Sequence, residues 1–157
     1  MSEINQHTDK NLSFVSEAPT HYYTGNNQEI PIHNLTSTQK MNIVETRISK
    51  NYLELFKKHT NLDYDSLAKA LLVTRATLIN KKGKEKFSST VSEKILALAD
   101  LYSFGYEVFE DKEKFNEWMF FSNQALGGKV PFDFLHNQYG REEINNLIGR
   151  VAYGVYS

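Results

Sequence analysis

Residues 63–83 read DYDSLAKALLVTRATLINKKG, and the spacing of their apolar residues decides the fold that we predict. Two short helices joined by a tight turn account for this spacing. The small Ala68 lets the helices cross closely, Val73 fills the turn, and Thr74 is placed to cap the second helix. The frame is completed by Leu67, Leu71 and Leu78. The pattern predicts a helix-turn-helix, and a plain helical hairpin in a small bundle is the alternative.

The second helix of this pair, predicted from Thr74 to about Lys82, carries side chains suited to nucleic acid. Arg and Asn hydrogen-bond base edges, and Lys pairs with phosphates. The predicted DNA-binding residues are Thr74, Arg75, Thr77, Asn80, Lys81 and Lys82. Leu72 stands at the turn position that often carries glycine, which puts the turn geometry in question. Gly83, with lysines around it, is predicted to end the helix.

Charge is distributed unevenly along the 157 residues. The formal net charge is −1, but residues 40–95 hold twelve Lys and Arg against six acidic residues, and both flanking segments are net acidic. A basic segment of this kind indicates contact with a polyanion. Chance clustering of lysines on a solvated face is the alternative.

Upstream of the quoted stretch, Thr36 and Gln39 form a T-x-x-Q capping box that opens a helix. One apolar face then recurs at helical spacing. Its members are Met41, Val44, Ile48, Tyr52 and Leu55. Ser49 caps well and can divide this segment into two helices. Residues 1–35 lack helical periodicity and are predicted to be an irregular arm, with either a short hairpin around Gly25-Asn26 or an extended chain.

Downstream, Thr90 and Glu93 form a second predicted capping box, and Asp111 is predicted to cap a further helix. Gly127 and Gly128 then give the backbone freedom for a turn, before a short helix opened by Pro131. The Gly-Lys pair at this turn lacks the earlier glycine and the following Ser or Thr of a phosphate-binding P-loop. A last amphipathic helix is predicted after Gly140.

Several function classes receive no support from the residues. The chain has no cysteine, which excludes disulfides and thiolate metal sites. The five histidines are His7, His21, His33, His59 and His136, and they lack metal-ligand spacing. The sequence contains no catalytic motif, no apolar signal core and no membrane-length apolar run. We therefore expect a cytoplasmic binding protein that is not an enzyme and needs no cofactor or metal.

The C-terminal residues resemble a known family. That family carries a Trp, then Asn-x-Ala-Leu-Gly-Gly, a Pro with an acidic residue and Leu, and a last helix ending in Leu-x-Arg and Gly-Val/Ile-Tyr. The matching residues here are Trp118, Asn123, Ala125 to Gly128, Pro131, Asp133, Leu135, Gly140, Arg150 and Gly154 to Tyr156. The segment from about residue 90 resembles the toxin-binding domain of the Xre/MbcA/ParS antitoxins. Departures include Ser122 in place of a common Pro, and Ile148 in place of the Leu of Leu-x-Arg.

This resemblance implies a type II antitoxin whose partner is a RES-domain toxin that consumes NAD⁺. It implies that the antitoxin covers the entrance of the toxin's active site with its C-terminal end. It also implies that the antitoxin represses transcription of its own operon through the helix-turn-helix, as a homodimer or within a complex with the toxin. The implied toxin-binding residues are Arg150, Tyr153, Gly154, Val155, Tyr156 and Ser157.

We therefore expect an all-α protein in three parts. Residues 1–35 form the N-terminal arm, residues 36–89 an Xre-like helix-turn-helix domain, and residues 90–157 a small helical toxin-binding domain. The alternative function is a stand-alone helix-turn-helix transcription regulator whose C-terminal domain only dimerises. An enzyme or enzyme subunit is a third hypothesis, which turnover of NAD⁺ by the chain alone would support.

Overall fold

The structure, a computed structural model, describes residues 19–26 and 28–154. Within these residues it consists mainly of seven α-helices, which confirms the all-α prediction. The helices are α1 (Ser37–Thr46), α2 (Lys50–Thr60), α3 (Tyr64–Leu71), α4 (Arg75–Ile79), α5 (Ser89–Phe109), α6 (Lys112–Trp118) and α7 (Gln138–Ala152). Three single 3-10 turns, Ile32–Asn34, Gln124–Leu126 and Pro131–Phe134, connect them. None of the helices in the described part of the chain has the length and apolarity to cross a membrane.

The predicted hairpin is present in the N-terminal arm. Strands β1 (His21–Tyr23) and β2 (Glu29–Pro31) pair antiparallel, with Tyr22 opposite Ile30. Tyr22 is buried, so the hairpin rests on the helical body through one face. The alternative of an extended chain applied to residues 1–12, which lie outside the described residues.

The helix starts follow local capping chemistry, because an N-cap oxygen satisfies amide groups that have no partner inside the helix. Thr36 and Gln39 form both halves of the predicted capping box. Ser49 caps α2 and divides the first helical segment in two, as the sequence allowed. The second predicted capping box is wrong: the N-cap of α5 is Ser88, two residues before Thr90, and its side chain accepts from the Val91 amide at 3.2 Å. Ser88 fits because Phe87 before it is buried and fixes where the chain enters the helix.

The apolar face predicted across α1 and α2 is partly wrong. Met41 and Leu55 are exposed, whereas Ile43, Leu53 and Phe56 are buried. The two helices are separate, and the chain turns sharply between Thr46 and Lys50. That break resets the helical phase, so a single periodicity drawn across both helices assigns the wrong residues to the core.

Helix α5 supplies the centre of the molecule. It packs against α1, α3, α6, α7 and the 3-10 turn Ile32–Asn34. Its buried residues include Ile95, Leu96 and Leu101, which lie on more than one face. A helix that is apolar on several faces is typical of a core helix rather than a surface helix. The N-terminal and C-terminal helices therefore share one apolar core.

An aromatic cluster closes this core where α5 meets α6. The Phe115 ring lies edge-on to Tyr102 and Tyr106, with centroid distances of 5.1 and 5.6 Å. A side chain at Gly105 would overlap the Phe115 ring, so glycine is required for this close approach. Burial raises the pKa of the Tyr102 hydroxyl well above its ordinary value. Among the described residues this hydroxyl has no hydrogen-bond partner, whereas the Tyr106 hydroxyl donates to Asn116 Oδ1 at 2.6 Å.

The two tyrosines give a matched pair of substitutions. Tyr102→Phe removes a buried hydroxyl without a partner, so the free energy of unfolding should stay the same or rise by up to about 1 kcal/mol. Tyr106→Phe breaks a hydrogen bond and should lower the free energy of unfolding by about 1 kcal/mol. Urea unfolding followed by circular dichroism measures both. Equal destabilisation by the two substitutions would show that the Tyr102 hydroxyl has a partner.

Candidate functional site

Where the sequence predicts a helix-turn-helix, the structure has two short helices, α3 and α4, joined by a three-residue turn. Leu72 takes the left-handed conformation, with φ 50° and ψ 49°, and its side chain is exposed. Glycine adopts this conformation more readily than leucine. The turn therefore has the expected geometry in spite of its leucine. Val73 is half-buried behind it, and the Thr74 side chain accepts from the Thr77 amide at 3.2 Å.

Helix α4 is shorter than predicted and ends at Ile79 instead of near Lys82. Asn80 is its C-terminal cap, and Lys81 and Lys82 lie in the loop beyond. Gly83 does have a positive φ of 57°, but it lies in that loop and does not end the helix. The early end of the helix has a tertiary cause, because carbonyl groups of this loop accept hydrogen bonds from amide groups of α2. The predicted DNA-binding residues thus divide between the helix and the loop.

A buried lysine holds α4 in place. Lys50 on α2 is only 6% exposed, and its Nζ donates to the Leu78 carbonyl and, at 2.8 Å, to the Tyr64 hydroxyl. Glu54 lies 3.2 Å from the same Nζ and accepts from the Tyr64 hydroxyl. Burial acts to raise the pKa of Glu54, but the bonds from Tyr64 and Lys50 and the nearby positive charges outweigh it, and the pKa is lowered. In the sequence alone, Lys50 is one of the cations of the basic segment, and its burial was not predicted.

Much of the basic charge is neutralised within the molecule. Lys40 binds Asp100 at 2.6 Å and Lys69 binds Asp133 at 2.7 Å. Arg75 lies 3.2 Å from Asp65, and both side chains are well exposed. Such exposed pairs are weak and exchange readily for other partners. The charges left for an outside partner lie mainly beyond α4.

A second surface combines the predicted toxin-binding residues of α7 with other parts of the chain. A groove of about 700 Å³ lies between α5 and α7, next to the 3-10 turn Ile32–Asn34. Its lining consists of polar and aromatic side chains from these elements. They are His33, Asp100, Phe104, Asn145, Asn146, Gly149, Arg150 and Tyr153. The groove thus brings Arg150 and Tyr153 together at one end of the last helix.

The wall of this groove is fixed by hydrogen bonds. His33 Nδ1 lies 2.8 Å from Ser103 Oγ, and His33 Nε2 pairs with Glu107. The His33 ring also packs on Phe104 at a centroid distance of 5.6 Å. These contacts fix the shape of the wall before any partner arrives. They also give His33 a structural explanation that needs no metal.

Arg150 and Tyr153 are the parts of the groove with unused binding capacity. Arg150 Nε has no hydrogen-bond partner among the described residues, and its closest acid, Glu143, lies at the long distance of 3.9 Å. Tyr153 is 87% exposed. Gly154 has a φ of 70°, which turns the chain away from the helix. Arg and Tyr are frequent anchors of protein interfaces. Of the other predicted toxin-binding residues, Val155, Tyr156 and Ser157 lie outside the described residues.

Six of the groove residues were not predicted as site residues, namely His33, Asp100, Phe104, Asn145, Asn146 and Gly149. They come from three separate elements that only the tertiary fold brings together. One sequence signal was available. Asn145 and Asn146 lie inside a helix, where asparagine is unfavourable, so a reason outside helix formation is expected for them.

The Gly-Gly segment is a turn, as predicted, with φ values of 66° and 82° at Gly127 and Gly128. The Asn123 side chain accepts from the Ala125 amide, and its backbone pairs with Lys129. Pro131 begins the following 3-10 turn, as predicted. No nucleotide is needed to explain the shape of this segment.

The last helix begins earlier than predicted. It starts at Gln138 with Asn137 as its N-cap, which places Gly140 inside the helix. A side chain at Gly140 would overlap the Phe134 carbonyl oxygen. Glycine at this position therefore permits close packing of α7 on the preceding 3-10 turn, and it does not mark a helix boundary.

The histidines in the described part of the chain form no metal site. Among the described residues, no three His, Asp or Glu side chains are grouped so as to hold a metal ion. His59 packs on the Tyr106 ring at 5.5 Å, and its pKa is lowered first by burial and then by the charges of Lys112 and His21. Burial explains that shift without any ligand.

Comparison with known proteins agrees with this geometry of a helical binding protein. Residues 105–154 match the family profile described as the antitoxin Xre/MbcA/ParS C-terminal toxin-binding domain. The chain is 32% identical over 76 residues to a curated protein named Antitoxin Xre from Photorhabdus laumondii subsp. laumondii. The aligned residues make up 48% of this chain and 51% of the relative. The chain thus spans about half the length of that relative. Both matches are to antitoxins of the Xre/MbcA/ParS type, the family that the C-terminal residues resemble.

Two glycines of this domain give opposite predictions. Gly140→Ala should destabilise the fold by about 1–3 kcal/mol, because the added methyl group overlaps a carbonyl in a packed region. Gly149→Ala adds a methyl group that has no neighbour within 4 Å, so it should stabilise α7 by about 0.5–1 kcal/mol. Thermal unfolding of both variants measures the difference. A stable Gly140→Ala variant would contradict the close approach of α7 to Phe134.

Proposed function

We propose that this protein is the antitoxin of a type II toxin–antitoxin system. It binds a RES-domain toxin in the cytoplasm and blocks the toxin's NAD⁺ site, and it takes no catalytic part itself. The observation that carries the proposal is the groove between α5 and α7, with the partly exposed guanidinium of Arg150 and the exposed ring of Tyr153 at its end. The matched toxin-binding domain supports the class of partner.

The end of α7 is suited to enter a cleft of the partner. Tyr153 lies almost entirely in solvent, which is costly for an aromatic side chain unless a partner buries it. Gly154 then turns the chain out of the helix. The Tyr156 hydroxyl is a group that pairs with basic residues, and a site for NAD⁺ phosphates contains such residues. The identity of the toxin as a RES-domain protein rests on the family resemblance.

The groove supplies the binding area that the tail cannot. A stable interface buries roughly 800 Å² on each partner, far more than the last four residues offer. The groove ends at Tyr153, next to Gly154, and its lining includes polar and aromatic side chains, of which His33 is fixed by its bond to Ser103. We propose that the groove holds the toxin and that residues 154–157 block its active site.

The proposal separates binding from blocking. A chain that lacks residues 154–157 should still bind the toxin through the groove but should no longer protect NAD⁺. Co-expression of the truncated chain with the toxin, with pull-down and NAD⁺ level both measured, tests this. Loss of the complex would make the tail the main anchor. Full protection by the truncated chain would remove the tail from the mechanism.

The groove is tested by a substitution at Gly149. Gly149→Trp fills the groove, and the open space around this glycine lets the fold remain intact. We expect toxin binding to fall by at least about 100-fold, equivalent to roughly 3 kcal/mol. Gly149→Ala is the matched control and should bind as the natural chain does. Unchanged binding by a folded Gly149→Trp variant would place the toxin on another surface.

We also propose that residues 36–89 bind operator DNA and repress transcription, while residues 90–157 bind the toxin. The supporting observations are the helix-turn-helix geometry and the exposed Arg75, Thr77 and Asn80 on or next to α4. The Arg75 pair with Asp65 is exposed and weak, so its guanidinium can exchange to a base edge. The Thr77 hydroxyl is within 2.8 Å of the Thr74 hydroxyl, which leaves Arg75 and Asn80 as the stronger base-reading candidates. We propose that operator binding involves a homodimer or the complex with toxin.

Two substitutions distinguish base contacts from phosphate contacts. Arg75→Ala should weaken operator binding by about 1–3 kcal/mol and relax sequence preference. Lys82→Ala should weaken binding to every sequence alike and reduce the salt slope by about 1. Anisotropy titrations on operator and unrelated duplexes measure both. Equal loss on both duplexes for Arg75→Ala would make that residue a phosphate contact.

A further inference from the structure

Arg47, between α1 and α2, has a backbone conformation that is rare for any residue except glycine. Its φ is 70° and its ψ is 154°. A side chain in this region is strained, and such strain persists only where surrounding contacts enforce it. The contacts of Arg47 therefore indicate what the strain supports.

The Arg47 side chain binds the segment that precedes α5. Its Nε donates to the Phe87 carbonyl at 2.6 Å, and an Nη donates to the Lys86 carbonyl at 3.2 Å. We call residues 81–87 the lysine loop, since four of its seven residues are lysine. Arg47 thus fixes the C-terminal end of the lysine loop through two backbone carbonyl groups.

The rest of the lysine loop is held by the N-terminus of α2. The Lys50 amide donates to the Glu85 carbonyl at 2.8 Å, and the Asn51 amide donates to the Gly83 carbonyl at 2.9 Å. These amide groups belong to the first turn of α2, where no partner exists inside the helix. Phe87, almost fully buried, then joins the loop to the core. The loop backbone is therefore held in a fixed conformation, with carbonyl groups directed towards α2.

The lysine side chains have a different environment from the loop backbone. Lys82 and Lys84 are exposed and Lys81 is half-buried, and none of the three has an ion-pair partner among the described residues. Lys86 instead donates from Nζ to the Thr46 carbonyl at 2.8 Å, which closes the loop on the end of α1. Three ammonium groups in a loop of fixed shape remain for an anionic partner.

We infer that the lysine loop is a preformed contact for the phosphate backbone of duplex DNA, and that Arg47 is the positioning residue that gives the loop its shape. The inference rests on the proposed DNA-binding function and deepens it. The loop follows α4 directly, so its ammonium groups lie beside the proposed base-reading residues. An ordered loop loses less conformational freedom on binding than a mobile one, which favours affinity.

Arg47→Gly separates this role from a purely structural one. Glycine removes the backbone strain together with the two side-chain hydrogen bonds, so the melting temperature should change little. Arg47→Ala keeps the strain and loses the bonds, so it should melt at a lower temperature. Arg47→Lys keeps the charge but cannot form the two-pronged contact, because its single ammonium lacks the guanidinium fork. Each variant is made in the full chain and tested at a temperature where it is folded.

The measurement is binding to a fluorescent duplex of unrelated sequence and to operator duplex over a series of KCl concentrations. We expect Arg47→Gly and Arg47→Lys to lose affinity at least about fivefold on both duplexes in parallel. Their salt slopes should fall by more than the value of about 0.9 expected for one lost phosphate contact. The ratio of operator affinity to unrelated affinity should stay constant, because base reading is not affected.

Two results would overturn the inference. Wild-type affinity and salt slope for Arg47→Lys would show that only the charge at position 47 matters. Unchanged binding by a folded Arg47→Gly variant would show that the shape of the loop does not matter. Both results leave DNA binding by the natural chain intact. Absence of duplex binding by the natural chain at every salt concentration would instead refute the DNA-binding proposal itself, and the inference with it.

Discussion

Burial of α5 is the constraint on which the remaining elements depend. It packs against α1, α3, α6 and α7. Because Ile95, Ala99 and Tyr102 have essentially no exposed surface, removing these neighbours would expose apolar area to water. The α3–α4 helix pair and the groove are therefore both supported by one helix. The groove takes Asp100 and Phe104 from α5 itself.

The sequence predicted those features that depend on a few neighbouring residues. The capping groups at Thr36, Ser49 and Asp111, and the turn at Gly127-Gly128, act within one helical turn, and all are present. The all-α class and the helix-turn-helix follow from these local signals combined with apolar spacing. The family resemblance, carried by residues of the C-terminal part, is confirmed by independent comparison.

The features that the sequence did not predict depend mainly on contacts between different elements. Helix α4 ends early because the following loop is bound to α2: the Asn51 amide donates to the carbonyl of Gly83, 32 residues later in the sequence. Lys50 reads as a surface cation, but its side chain satisfies the Leu78 carbonyl inside the protein. Gly140 reads as a helix boundary, although it is required by a carbonyl group of the preceding turn. Periodicity and charge counts contain no information on these contacts.

The central position of α5 limits how the chain can be divided into fragments that still fold. The matched family segment begins at residue 105, in the second half of α5, so its boundary cuts through a helix and not through a linker. A fragment that starts there would lack Ile95, Leu98 and Ala99 and so part of the apolar surface that α7 needs. Unfolding of α5 would remove the support of the α3–α4 helix pair and of the groove at the same time. The two surfaces are therefore lost together when the core opens.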